Sequence, residues 1–295
     1  MIEKKNFYIN GKWIAPNRPK DISVINPATE KRCAIISLAG KEDVNDAVLA
    51  AKAAFKTWGF SSKEERIELL ETFYTLYKKR WNDITDAIIQ EMGAPKDFAS
   101  KLQTGTGASH IKSFIRYLKE FEFEKTLGDH AKDQRIIYEP KGVCALITPW
   151  NWPMNQVCLK VIPALAAGCT MVLKPSELAP LSAMVLAELI DEAKFPNGVF
   201  NLINGDGATT GDALTIHPDV NMISFTGSTR AGALISQNAA KDFKRLSLEL
   251  GGKGANIIFK DADPEAIERG ALRCFRNSGQ SCNAPTRMLV ESSMY

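Results

Sequence analysis

The feature that most constrains the fold is the alternation of short apolar segments with helical segments after residue 142. Five apolar segments carry the β-type pattern, and they read GVCALITP, CTMVLKP, VFNLING, MISFTG and LSLELGG. Helical periodicity fills the intervals, over residues 154–167, 181–193, 206–217 and 229–240. Strands that alternate with helices of ten or more residues favour a parallel sheet with right-handed crossovers. The sequence therefore predicts an α/β fold.

The first 121 residues predict a hairpin followed by helices. FYINGKWI alternates around an Asn-Gly pair, which is typical of a tight turn between two strands. Apolar residues recur at helical spacing from Glu42 to Trp58, and a later helix is expected over about residues 98–121. The next stretch, 122–141, is rich in turn residues and contains one short β-like segment, 135–138. We expect it to form a projecting hairpin.

Composition excludes several classes of protein. The 295 residues suggest about two domains, and 37 basic against 34 acidic residues give no argument for nucleic acid. No signal peptide is visible, and no apolar run approaches the ~18 residues that span a bilayer. Six cysteines without a CxxC pair favour a reducing cytoplasm. The three histidines lie far apart and lack the spacing of zinc ligands, so no metal is expected.

Polar and small residues follow each predicted strand of the sheet. In open parallel sheets, ligands bind beyond the carboxyl ends of the strands. Each exit supplies glycine, small hydroxyls or one charge, and the exits are 148–151, 174–177, 204–207, 226–229 and 249–252. This inventory is typical of a nucleotide site.

Two of these exits suit a dinucleotide. FTGSTRAG leaves a strand and opens a helix, where backbone N–H groups can meet a phosphate, although an ordinary helix cap explains it equally well. In LKPSE, Lys174 and Glu177 can bind ribose hydroxyls. The Glu177 carboxylate would repel a 2′-phosphate and so favour NAD over NADP. The alternative for LKPSE is a surface turn.

Three further motifs suit catalysis. TPWNWP contains Asn151, whose amide can donate to a developing oxyanion, and LELGGK contains Glu249, a candidate general base. NSGQSC presents Cys282, a candidate nucleophile. No histidine lies nearby in sequence, so a carboxylate acting at a distance or through water is the remaining base. The alternative for TPWNWP is an aromatic-packed loop, and that for Glu249 is a salt-bridged surface glutamate. The alternative for Cys282 is a buried structural thiol.

Together these motifs resemble the NAD(P)-dependent aldehyde dehydrogenase superfamily. ITPWNWP, KPSELAPLSA, FTGSTRAG, LELGGKGANI and NSGQSC stand in that family's order, and YINGKW and NPAT resemble its start. The resemblance implies a Rossmann-like parallel sheet with helices on both faces, a projecting β-hairpin and the beginning of a second α/β catalytic domain. It assigns 1–121 and 142–250 to an NAD-binding domain, 122–141 to an oligomerisation hairpin and 251–295 to the start of a truncated catalytic domain.

The resemblance also implies roles for single residues. Cys282 is then the nucleophile, and Glu249 is the general base. The Asn151 amide and the Cys282 N–H hold the oxyanion, and Lys160 serves a proton relay. The residues implied to bind the cofactor are Ile147, Thr148, Pro149, Trp150, Lys174, Ser176, Glu177, Gly207, Gly211, Phe225, Thr226, Gly227, Ser228 and Leu250.

The implied function is oxidation of an aldehyde to a carboxylic acid with reduction of NAD, through a thiohemiacetal and a thioester on Cys282. The implied partners are a small aldehyde and further copies of the chain, as a dimer or tetramer, in the cytoplasm. Family members continue beyond the position of Tyr295, so MLVESSMY is expected to be a strand cut off from its sheet. The alternatives are a non-catalytic NAD-binding fragment or partner module, and a cysteine esterase that uses Cys282 and Glu249.

Overall fold

A seven-stranded sheet forms the centre of the computed structural model, which describes residues 2–294. The strands along the chain are β1 (Ile2–Lys4), β2 (Phe7–Ile9), β3 (Lys12–Ile14), β4 (Asp21–Asn26), β5 (Lys31–Ser37), β6 (Glu124–Thr126), β7 (Arg135–Ile137), β8 (Val143–Ile147), β9 (Thr170–Lys174), β10 (Phe200–Leu202), β11 (Met222–Gly227), β12 (Arg245–Leu250), β13 (Ala255–Ile258) and β14 (Arg287–Val290). The α-helices are α1 (Lys41–Trp58), α2 (Lys63–Lys79), α3 (Trp81–Met92), α4 (Lys96–Phe98), α5 (Gly105–Glu120), α6 (Pro153–Ala166), α7 (Leu181–Glu192), α8 (Asp212–Ile216), α9 (Thr229–Ala240) and α10 (Ala266–Phe275).

The central sheet has the order β12-β11-β8-β9-β10-β2-β3. Its strands β8 to β12 run parallel, while β2 and β3 add an antiparallel edge. The turn between β2 and β3 places Asn10 and Gly11 at φ values of 51° and 72°, which the Asn-Gly pair tolerates. The predicted parallel sheet and the predicted N-terminal hairpin are both confirmed.

Helices cover both faces of this sheet, as predicted. Side chains alternate along a strand, so neighbouring residues face opposite sides. Leu146 and Leu173 pack in one core with buried residues of α2, α3, α5, α6 and α7. Ile147 and Val172 pack in the other core with α1, α8 and α9. The continuous apolar strands in the sequence reflect this burial on two sides.

Three smaller sheets surround the central one. One of them, with the order β1-β5-β4, was not expected from the sequence. The turn-rich segment forms the antiparallel pair β6 and β7, as expected. The expectation for MLVESSMY was wrong, because β14 pairs in parallel with β13 over four residues on each strand. The intervening α10 supplies the crossover connection that a parallel pair requires.

The helix expected over residues 98–121 begins differently from the prediction. Residues Ala99–Thr104 form a π-helical segment between α4 and α5. A π-helix takes up one more residue per hydrogen-bonded turn than an α-helix and is frequent at functional sites. In this segment Ala99, Gln103 and Thr104 are fully buried. The segment therefore turns a polar amide, that of Gln103, towards the protein interior.

A buried carboxylate links α3 to the start of α7. Glu91 accepts hydrogen bonds from the backbone N–H groups of Leu181 and Ser182 and from the Ser182 hydroxyl. These N–H groups lie in the first turn of α7, where helical donors have no partner within the helix. Burial raises the pKa of Glu91 to about 7, and its hydrogen bonds with Ser182 and Leu181 act in the opposite direction.

Glu91→Gln is expected to lower the free energy of unfolding. The amide nitrogen of glutamine would face backbone N–H groups whose hydrogen bonds the Glu91 carboxyl oxygens accept. The pKa of Glu91 is about 7 in the folded protein against 4.5 for the free side chain. As the pH rises between these values, only the unfolded state gains charge, which stabilises it. The advantage of the wild type over Glu91→Gln should therefore shrink by about 3 kcal/mol across this window.

Urea denaturation at several pH values, with the exposed Glu68→Gln of α2 as control, measures this difference. A difference in the free energy of unfolding between wild type and Glu91→Gln that stays constant over the window would contradict the expected ionisation.

None of the helices within residues 2–294 has the length and hydropathy required to cross a membrane.

Candidate active site

Two motifs far apart in the sequence meet at the nucleophile. The Asn151 side-chain amide donates to the Gln280 carbonyl at 2.9 Å, and the Trp152 indole N–H donates to the Ser281 hydroxyl at 2.7 Å. Cys282 follows these residues directly and is exposed. The structure thus brings the predicted oxyanion donor and the predicted nucleophile into neighbouring loops.

The loop before Cys282 has an unusual backbone. Asn277, Ser278 and Gly279 have φ values of 56°, 57° and 73°. A left-handed conformation costs about 1–2 kcal/mol for a residue with a side chain. Hydrogen bonds offset this cost, because the Asn277 amide donates to the Gln280 carbonyl at 3.1 Å and the Gln280 amide donates to the Asn277 carbonyl at 3.1 Å. The turn that precedes the cysteine is therefore strained and held at both ends.

Lys160 of α6 lies close enough to Glu249 of β12 for their charges to interact. The buried Lys160 ammonium donates to the Ser224 hydroxyl at 2.9 Å. Burial lowers the pKa of Lys160 to about 8, and the Glu249 charge acts in the opposite direction. Glu249 itself is exposed on β12, at the edge of the sheet. The lysine can thus change its protonation state near neutral pH, within electrostatic range of the predicted base.

A cleft of about 460 Å³ lies at the carboxyl ends of β8, β9 and β11. Five residues predicted to bind the cofactor line it: Ile147, Lys174, Gly207, Gly211 and Phe225. Three further residues of the lining, Arg230, Leu234 and Asn238 of α9, were not predicted from the sequence. Their spacing of four residues places them on one face of the helix, so periodicity after the FTGSTRAG motif could have identified them.

Lys174 is fixed at the floor of this cleft. Its ammonium donates to the carbonyls of Gly205 at 2.7 Å and Pro175 at 3.0 Å, and it lies 3.8 Å from the Glu177 carboxylate. Burial lowers the pKa of Lys174, while the charges of Glu177 and Asp206 act in the opposite direction. Glu177 is half-buried, so its carboxylate remains accessible. The predicted pair of ribose-binding residues is thus in contact.

Ser176 and Ser228 use their hydroxyls to hold local backbone. The Ser176 hydroxyl accepts from the Leu178 N–H at 3.3 Å, and the Ser228 hydroxyl accepts from the Ala231 N–H at 3.2 Å as the cap of α9. Gly227 lies beside the Phe225 ring, where an added Cβ would come within 2.4 Å of the ring carbon. These contacts define the shape of the loops rather than a direct ligand contact.

Three buried threonine hydroxyls have no hydrogen-bond partner within the described chain, and two of them, those of Thr148 and Thr226, lie at the carboxyl ends of strands. They follow Ile147 and Phe225, which are paired in register on β8 and β11 and line the cleft. Buried polar groups normally have partners, but side chains alternate along a strand, so these two hydroxyls lie beside the cleft and not in its lining. Gly207 adds open backbone, since a Cβ there would meet nothing within 4 Å. The residues present therefore fit a dinucleotide such as NAD.

The remaining predicted cofactor residues lie outside the lining of the cleft. Pro149 is half-buried, and Trp150 is 39% exposed. Leu250 packs against α9, where a Cβ added to Gly232 would lie 2.7 Å from the leucine methyl group. Pro149 and Trp150 connect the cleft to Asn151, so they lie between the two halves of the candidate site.

Comparison with known proteins defines the family. The aldehyde dehydrogenase family model matches residues 13–295. The chain therefore belongs to the aldehyde dehydrogenase family, as the motifs predicted.

Individual relatives agree with this assignment. The chain is 52% identical over 295 residues to a 3-succinoylsemialdehyde-pyridine dehydrogenase from a Pseudomonas species. A crystal structure of an aldehyde dehydrogenase from Bartonella henselae has 59% identity and a TM-score of 0.98, and covers 100% of this chain. A mutant of aldehyde dehydrogenase C from Pseudomonas syringae, in complex with NAD⁺ and octanal, has 47% identity and a TM-score of 0.95 over 98% of this chain.

The chain is shorter than these relatives. It spans 61% of the Pseudomonas enzyme, 62% of the Bartonella chain and 59% of the P. syringae chain.

Proposed function

We propose that the protein oxidises an aldehyde to a carboxylic acid with NAD, and that Cys282 is the nucleophile. The observation that carries this proposal is the contact between the Asn151 amide and the loop of Cys282, 2.9 Å from the Gln280 carbonyl. It supports the proposed role of Asn151 as oxyanion donor, because Gln280 lies two residues before the exposed Cys282 thiol. Membership of the aldehyde dehydrogenase family supports the same reaction.

Cys282 attacks the aldehyde carbon as the thiolate and forms a thiohemiacetal. The developing oxyanion accepts hydrogen bonds from the Asn151 amide and from the Cys282 N–H. NAD bound in the cleft would supply the hydride acceptor, which would leave a thioester on Cys282. Glu249 then removes a proton from the water that attacks the thioester, and the carboxylic acid leaves. Lys160, buried near Glu249, relays protons from the site.

The cleft beside β8, β9 and β11 holds the adenosine end of NAD in this proposal. Lys174 and Glu177 would bind the ribose hydroxyls, and the first turn of α9, with Gly227 and Ser228, would hold the pyrophosphate. Gly207 and Gly211 leave room for adenine. The NAD⁺ complex of the P. syringae relative supports this choice of cofactor.

Glu177→Gln is expected to relax the preference for NAD over NADP by about tenfold to a hundredfold, because removing one carboxylate removes its repulsion of a 2′-phosphate. The ratio of kcat/KM values for the two cofactors measures this effect. Glu268→Gln, an exposed glutamate on α10, serves as the control. An unchanged ratio in Glu177→Gln would exclude the charge of Glu177 as the source of selectivity.

The arrangement of the sheets suggests two domains with different functions. We infer that 1–121 and 142–250 form the NAD-binding domain and that 251–295 begins the catalytic domain, since β13 and β14 form a sheet of their own. The hairpin of β6 and β7 is the oligomerisation element in this proposal. Its exposed apolar side chains, among them Leu127 and Ile137, support pairing with another copy. The free thiols of all six cysteines support a reducing cytoplasm.

The test of this function is NADH formation with a panel of aldehydes. The panel includes octanal and an aromatic semialdehyde, the kinds of compound that the relatives bind or are named for. We expect NADH with at least one of them. Saturable NAD binding without NADH from any aldehyde would instead indicate a non-catalytic cofactor-binding module.

A further inference from the structure

The interior next to the active site holds a polar side chain for which the proposed mechanism has no use. Gln103 is fully buried in the π-helical segment Ala99–Thr104. Its amide nitrogen donates to the backbone carbonyl of Asn151 at 3.2 Å, while its Oε1 atom has no partner in the described part of the chain. An apolar residue would fill this space without leaving a buried oxygen unpaired. The donor side of the amide therefore accounts for the presence of Gln103.

The same Asn151 carbonyl accepts a hydrogen bond from a second side-chain amide. Asn277, on the nucleophile loop, donates to this carbonyl at 2.9 Å. Asn277 also donates to the Gln280 carbonyl at 3.1 Å, so both of its amide N–H groups are used inside the network. The two amides thus hold one carbonyl between the helical layer and the strained turn before Cys282.

This arrangement determines the direction of the Asn151 side chain. The Asn151 amide donates one N–H to the Gln280 carbonyl at 2.9 Å, which leaves its second N–H for a substrate oxygen. Rotation of the Asn151 backbone would move that N–H relative to Cys282. Because the carbonyl accepts hydrogen bonds from Gln103 and Asn277, that rotation would break both bonds.

We propose that Gln103 and Asn277 are positioning residues, which clamp the Asn151 carbonyl and so aim the Asn151 amide at the oxyanion formed on Cys282. The inference rests on the proposed function, since it concerns the geometry of the same reaction. The π-helical segment Ala99–Thr104 turns the Gln103 side chain inward, where it reaches the Asn151 carbonyl.

Gln103→Met in the full-length protein tests the clamp, because methionine keeps the length and volume of glutamine and lacks the donor. We expect kcat/KM for the aldehyde to fall by about tenfold to a hundredfold, as misplacement of a catalytic group does. The dissociation constant for NAD should change by less than about twofold, since sites without shared partners act independently. Gln237→Met, at an exposed glutamine of α9 outside the lining of the cleft, is the matched control.

A double-mutant cycle separates positioning from a structural role. A residue that acts only through Asn151 has no further effect once that amide is gone. In the Asn151→Ala background, Gln103→Met should therefore lower kcat/KM by less than about twofold. All rates are normalised to the fraction of Cys282 that reacts with iodoacetamide, which corrects for misfolded protein.

Asn277→Gly tests the second hydrogen bond to the Asn151 carbonyl. This variant is expected to fold, because glycine adopts the left-handed backbone at position 277 without strain. It should show the same loss and the same dependence on Asn151. An equal loss in both backgrounds, or no loss in either single variant, would overturn the clamp while wild-type activity remains. A wild type that forms no NADH from any aldehyde would overturn the proposed function and, with it, the clamp.

Discussion

Replacing Cys282 with alanine is expected to lower kcat for aldehyde oxidation by more than about 10⁴-fold, the scale of loss seen when a covalent nucleophile is removed. Cys282 is the exposed thiol among the six cysteines, since Cys33 and Cys274 are half-buried. Cys144, Cys158 and Cys169 are buried, whereas Cys282 is exposed and follows the loop that contacts Asn151. Without the sulfur, no thiohemiacetal forms and no hydride leaves the substrate.

Binding of NAD should survive this substitution. The cleft that we assign to the cofactor is lined by residues of the central sheet and of α8 and α9, and Cys282 is not among them. Calorimetric titration of Cys282→Ala with NAD should give a dissociation constant within about twofold of the wild-type value. Cys274→Ala, at a half-buried cysteine on α10, serves as the control and should retain activity. A Cys282→Ala protein that still turns over would remove Cys282 from its proposed role.

Replacing Glu249 with glutamine is expected to lower steady-state turnover by about 10²–10⁴-fold, the usual contribution of a general base. In the proposed sequence of steps, Glu249 acts after hydride transfer, when water attacks the thioester. The first turnover should therefore proceed, and NADH should appear as a burst equal to the concentration of active sites. Slow hydrolysis should follow, with the acyl group retained on Cys282.

Rapid mixing of Glu249→Gln with saturating NAD and aldehyde measures this burst. Glu268→Gln, an exposed change on α10, is the matched control and should show wild-type turnover. Loss of the burst together with turnover would contradict the assignment to hydrolysis. It would instead place Glu249 in the activation of the Cys282 thiol.

The sequence predicted the central architecture because the physical signals there are local and strong. Strands buried on both faces produce continuous apolar runs, and the intervening helices carry their own periodicity. The contact between TPWNWP and NSGQSC was predicted only through the family resemblance, since nothing in the spacing of 129 residues between Asn151 and Gln280 indicates it. The structure supplies that contact independently.

Other parts of the site lacked a readable signal. The π-helical segment depends on tertiary packing, and the helical pattern of residues 98–121 gave no indication of the extra residue. Gln103 is a polar residue in a helical segment, where solvent exposure is the ordinary expectation. The pairing of β14 with β13 was also missed, because strand partners are determined by non-local contacts rather than by the strand's own sequence.

The most direct test of the account is the mass of the peptide that carries Cys282 after Glu249→Gln is mixed with NAD and an aldehyde substrate and quenched in acid. We expect an added acyl group on Cys282, in an amount equal to the NADH burst. The adduct should be absent when NAD is omitted, because the thioester forms only after hydride transfer. NADH produced with an unmodified Cys282, or an acyl group found on another residue, would contradict the proposal that Cys282 is the nucleophile.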